Sequence, residues 1–126
     1  MKKILLVEDS ALETELLTEI LKGAGIKRDC LQAKDGEEAI QMLAKNYRDV
    51  ALILLDWQMP RMSGIEFMEG VVKVPAVAAI PIIMITASGS DNDKRRAREV
   101  NPNLAGYIVK PYTPENLVEA ITPYLT

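Results

Sequence analysis

Four short apolar runs punctuate the chain, and each halts at a polar residue. Ile4-Leu5-Leu6-Val7 stops at Glu8-Asp9, Leu52-Ile53-Leu54-Leu55 at Asp56, Ile82-Ile83-Met84-Ile85 at Thr86, and Tyr107-Ile108-Val109 at Lys110. Runs this short and this continuously apolar suit parallel strands buried on both faces. Between them the period changes to that of helices. From about Ser10 to Lys22, Leu12, Leu16, Leu17, Ile20 and Leu21 make a broad apolar stripe, and Gly23 and Gly25 end it. A short strand near Cys30 to Ala33 follows. Asp35 reads as an N-cap with Glu38 as its capping-box partner, opening a second helix that runs to about Asn46 and buries Ala39, Ile40 and Leu43.

The third strand, Ala51 to Leu55, is the most apolar and should be central. A loop through Met59-Pro60 leads to a third helix from about Gly64, which Pro75 should stop by Val74. Pro81 to Ile85 is the fourth strand. Asp91 to Val100 reads as a fourth helix carrying Lys94, Arg95, Arg96 and Arg98, and Asn101-Pro102-Asn103 breaks it. After the fifth strand, Thr113-Pro114 pairs a capping residue with proline at the first helical position; the last helix ends near Pro123. Strand and helix signals alternate five times, which predicts an α/β fold with a parallel sheet, five helices on its two faces and one domain over residues 1–126.

Parallel strands place their carboxyl ends along one edge, where open α/β sheets bind ligands. Glu8, Asp9, Asp56, Thr86 and Lys110 then converge. Three carboxylates, a hydroxyl and an ammonium suit a divalent cation and a phosphoryl group. Each residue also has a plainer reading: a turn-capping aspartate, acids favoured at a helix start, a strand-former threonine, a solvated lysine.

Bulk properties narrow the field. The 126 residues are 48% hydrophobic and 26% charged, ordinary for a globular domain with a real core. A net charge of −3 gives no electrostatic reason for direct nucleic-acid binding. No apolar run approaches a membrane span, and Glu8-Asp9 interrupts too early for a signal peptide. The single cysteine, Cys30, excludes an internal disulfide and is compatible with the cytoplasm. There is no histidine, which removes His-based metal sites and imidazole catalysis.

The motifs Val7-Glu8-Asp9-Ser10, Asp56-x-x-Met59-Pro60-x-x-x-Gly64, Thr86-Ala87 and Lys110-Pro111, in this order and each at a strand end, resemble the receiver domain of two-component response regulators. The resemblance runs from Lys3 to Leu125. It implies a doubly wound five-stranded sheet of flavodoxin-like order 2-1-3-4-5. It implies a phosphoacceptor signalling domain that catalyses its own phosphorylation and slow dephosphorylation. Asp56 takes the phosphoryl group, and Lys110 and Thr86 act beside it. Mg²⁺ is held by Asp9 and Asp56 directly, by Glu8 through water, and by the backbone carbonyl of Gln58. Thr86 and Tyr107 form the switch, and Gln58 and Ser88 influence water access to the acyl phosphate. Lacking histidine, the chain takes the aspartate side of a relay, fed by a sensor histidine kinase or a histidine phosphotransfer protein. Output is expected from the fourth helix, fifth strand and fifth helix, toward a partner protein or an output domain. The chain reads as a stand-alone receiver, resembling chemotaxis-type regulators, or as an excised one. The segment from Pro111 onward has no Lys or Arg, so the basic side of a charge-paired last-helix dimer is missing.

A non-phosphorylated binding module is answered by the complete residue set. An aspartate-based phosphohydrolase would want a second acid where Gln58 stands. A flavin carrier would meet repulsion from Glu8-Asp9.

Overall fold

The computed structural model describes residues 2–125. Five strands form one sheet: β1 Lys3–Val7, β2 Cys30–Ala33, β3 Val50–Leu55, β4 Ile82–Thr86 and β5 Gly106–Val109. All pairings are parallel and the order is β2-β1-β3-β4-β5. The helices are α1 Ala11–Gly23, α2 Gly36–Asn46, α3 Gly64–Val71, α4 Pro75–Ala78, α5 Asp91–Val100 and α6 Pro114–Ile121. The helices expected fourth and fifth are thus α5 and α6, because an unexpected single turn, α4, precedes β4.

Strand alternation divides the core between two layers. Leu5, Val7, Ile53, Leu55, Ile82 and Met84 pack with residues of α2, α3 and α5, including Leu43, Phe67, Met68 and Ala97. Ile4, Leu6, Leu52, Leu54, Ile83 and Ile85 face the other way, onto Leu17 and Leu21 of α1 and Leu117 and Ile121 of α6. β3 lies at the centre, as its uniform apolar character requires.

Two expectations need correction, the breadth of the α1 stripe and the burial of Ile40. Leu12 is 76% exposed, Leu16 49% and Ile40 41%; the sheet accepts a narrower stripe than the sequence offers. The third helix stops at Val71, within the limit at Val74 that Pro75 sets. Pro75 then starts α4, with Val74 as its N-cap residue, since proline suits a first helical turn.

Candidate functional site

Four of the five strand ends, those of β1, β3, β4 and β5, carry the functional side chains. At the end of β1, the Glu8 N–H donates to the Ala33 carbonyl at 3.0 Å, which holds Glu8 beside the end of β2. Glu8 is buried and Asp9 exposed. Ser10 caps α1, its hydroxyl accepting from Glu13 N at 3.2 Å. At the end of β3, the Asp56 N–H donates to Val7 O at 2.9 Å, tying the two acidic ends together. One Asp56 carboxylate oxygen accepts from Trp57 N at 2.8 Å. The following loop folds back so closely that a Cβ on Gly64 would lie 2.2 Å from the Asp56 carbonyl oxygen. The glycine of the Asp56…Gly64 motif is therefore a close-approach residue. At the end of β4, Thr86 is buried and its hydroxyl accepts from Ser88 N at 3.3 Å. At the end of β5, Lys110 N donates to Thr86 O at 2.8 Å, and the Lys110–Pro111 peptide is cis.

Glu8, Asp9 and Asp56 each offer a carboxylate oxygen within 4.8 Å of the others. The Lys110 ammonium stands 3.4 Å from Glu8 Oε2 and 3.9 Å from Asp56 Oδ1. It also lies 3.9 Å from Glu13 Oε2. Burial, with the Asp56 charge beside it, pushes the Glu8 carboxyl up to about 7; Lys110 only partly offsets this. Burial raises Asp56 too, against the pull of Lys110. Carboxylates crowded this way are relieved by a shared cation, and an all-oxygen set suits a hard one. The buried acidic cluster can hold a metal ion.

Gln58 sits exposed in the loop after Asp56. Tyr107 is half-buried, and its hydroxyl donates to the Ser88 carbonyl at 2.7 Å, so strand β5 is latched to the loop after Thr86. Ser88 in turn donates its hydroxyl to Asp93, in the first turn of α5. Trp57 is half-buried and packs against the α2–α3 side of the core. Cys30 lies in β2, packed at the edge of the α1–α6 core.

The sequence reading missed two side chains at this edge. Glu13 pairs with Lys110. Tyr112 has a buried hydroxyl with no hydrogen-bond partner among the described residues. Burial pushes that hydroxyl up to about 12, with Glu13 and Glu8 adding to the effect. Glu13 was hidden by its spacing from Ser10, which reads as a helix cap. Tyr112 follows the Lys110-Pro111 motif and was available to adjacency alone.

The receiver-domain model of response regulators matches residues 4–122. The chain is 36% identical over 123 residues to the chemotaxis protein CheY homolog of Campylobacter jejuni, covering 98% of this chain and 92% of that protein. It is 35% identical over 120 residues to the phosphate regulon transcriptional regulatory protein PhoB of Escherichia coli, covering 95% of this chain but only 50% of PhoB. It thus spans about half the length of the PhoB proteins it matches. Among solved structures, a chain of the CheX-CheY-BeF3-Mg²⁺ complex from Borrelia burgdorferi superposes with a TM-score of 0.86 at 25% identity, covering 99% of this chain and 90% of that one. A family match across nearly the whole chain, a flavodoxin-like sheet and an acidic cluster at its carboxyl edge agree: the chain belongs to the receiver domains of two-component response regulators, a family of signalling domains.

Proposed function

We propose that Asp56 accepts a phosphoryl group from a phosphohistidine on a partner sensor kinase or phosphotransfer protein. The observation that carries this reading is the convergence of Glu8 and Asp56 on one ammonium, Lys110, with Asp9 beside them. An Asp56 carboxylate oxygen attacks phosphorus. The oxygen–phosphorus bond forms as the phosphorus–nitrogen bond breaks, and the departing imidazole keeps the electron pair. These 126 residues include no histidine, so the donor is not among them.

Glu8, Asp9 and Asp56, together with the Gln58 carbonyl, are the ligand set for Mg²⁺. When bound, Mg²⁺ supplies charge neutralisation for the transferring phosphoryl group. Lys110 supplies a compact, mobile positive charge for the same oxygens. The Thr86 hydroxyl then turns to the phosphoryl group, and Tyr107 carries the change to the surface. The described residues hold no helix long and apolar enough to cross a membrane. We read the module as cytoplasmic, slowly losing its own phosphate to water near Gln58 and Ser88. Its output is a protein contact through α5, β5 and α6, with no direct role for nucleic acid.

The test is to incubate the protein with Mg²⁺ and acetyl phosphate, trap the acyl phosphate and map it by mass spectrometry. Label on Asp56 alone, lost in Asp56→Asn, is the expected result. Robust label on Asp56→Asn, or on Ser88, overturns the assignment.

A further inference from the structure

We infer that Glu13 is a positioning residue for Lys110, holding its ammonium against the first turn of α1 in competition with an incoming phosphoryl group. This rests on the receiver reading above. Two helix starts carry one local pattern. At the start of α3, Ser63 and Glu66 close a capping box: the Ser63 hydroxyl accepts from Glu66 N at 3.2 Å, and Glu66 Oε1 accepts from Ser63 N at 3.2 Å. The start of α1 carries the same spacing in Ser10 and Glu13, and the Ser10 hydroxyl accepts from Glu13 N.

The return bond differs. The Ser10 N–H donates to Glu8 Oε1 at 3.2 Å instead. With that donor taken, the Glu13 carboxylate is released from capping, and it stands 3.9 Å from Lys110 Nζ. An ammonium has three hydrogens. Here three carboxylates, from Glu8, Asp56 and Glu13, compete for them. Glu8 and Asp56 belong to the acidic cluster in any state of the site. Glu13 does not, so its hold on Lys110 must weaken when the lysine moves to phosphoryl oxygens. The Glu13 side chain is 35% exposed and that of Lys110 20%, so the pair is partly screened. A pair of this kind biases an equilibrium about two- to fivefold.

The experiment measures the rate of Asp56 labelling by acetyl phosphate and Mg²⁺ in the parent, Glu13→Gln, Glu13→Asp and the control Glu19→Gln. In each, the Asp56 oxygen–phosphorus bond forms as the phosphorus–oxygen bond to acetate breaks, and acetate leaves with the electron pair. Gln and Asp are both compatible with the first turn of a helix, and thermal melts check that both variants are folded. Glu13→Gln should label about two- to fivefold faster. Glu13→Asp should gain most of that acceleration, because it keeps the charge but withdraws it by one methylene. Glu19→Gln, farther along α1 and outside the site, should match the parent. A Glu13→Gln variant labelling at the parent rate overturns the inference, as does a Glu13→Asp variant that restores the parent rate. In both cases a normally labelled parent leaves the receiver reading standing. A parent that takes no phosphate on Asp56 removes both.

Discussion

Glu8 shows how a single residue registers what the cleft is built for. Its carboxyl is buried, faces Asp56, and is raised from 4.5 to about 7. The folded state therefore holds a proton on Glu8 over a range where the unfolded chain has lost it. The stability linked to this proton is fully present below about pH 4.5 and is lost as pH rises through about 7. In metal-free protein, Glu8→Gln should thus gain on the parent across that window, by an amount on the order of a few kcal/mol. Denaturant melts of both proteins from pH 4.5 to 7.5 measure the difference. A gap that stays constant with pH would mean that Glu8 is not the strained acid. Adding Mg²⁺ should narrow the gap, because a cation shared with Asp9 and Asp56 offsets the same repulsion. Lys110 alone cannot, being divided among three acids.

Elements that carry their own start signals were legible in the sequence, and those that depend on neighbours were not. Asp35 caps α2, and Thr113 caps α6 with Pro114 behind it; these are local signals that need no tertiary contact. The strand ends were legible because an apolar run that meets Glu8, Asp56 or Lys110 leaves the core there. The width of a buried helix face was not. Helical spacing groups Leu12 and Leu16 with Leu17 and Leu21, and only the sheet decides that the last two fit beneath it. The turn α4 escaped because four residues carry no period. Glu13 escaped because its spacing from Ser10 matches a capping box, and the competing acceptor, Glu8, belongs to the preceding strand end. Intact boxes have a measurable worth. Ser63→Ala removes the hydroxyl that receives Glu66 N–H at the start of α3. It should cost about 1 kcal/mol and lower the thermal midpoint by about 4 °C. Mg²⁺ response should be unchanged, since the cap lies outside the acidic cluster. Differential scanning calorimetry with and without the metal checks both parts; a loss of metal response would tie α3 to the site more closely than these contacts indicate.

Across the whole molecule, one edge of the sheet is joined to one face by a short chain of bonds. Lys110 N reaches Thr86 O, Thr86 Oγ receives Ser88 N, the Ser88 carbonyl receives the Tyr107 hydroxyl, and the Ser88 hydroxyl reaches Asp93 at the start of α5. Every link joins β4, β5 or α5, and none passes through α2 or α3. A phosphoryl group that draws the Thr86 hydroxyl away from Ser88 N must disturb this chain first. The two states need differ by only a few kcal/mol for such an event to redistribute them. Beryllofluoride with Mg²⁺ serves as a phosphoryl mimic. Amide exchange measured with and without it should change around Thr86–Ser88, in β5 and along α5, while α2 and α3 stay level. Lys110→Ala should keep the fold, since its backbone bond to Thr86 remains. It should also lose most of the exchange response, because no ammonium is left to follow the phosphoryl oxygens. Changes confined to α2 and α3, or a full response in Lys110→Ala, would break the link between the acidic edge and the α5–β5–α6 face proposed for output.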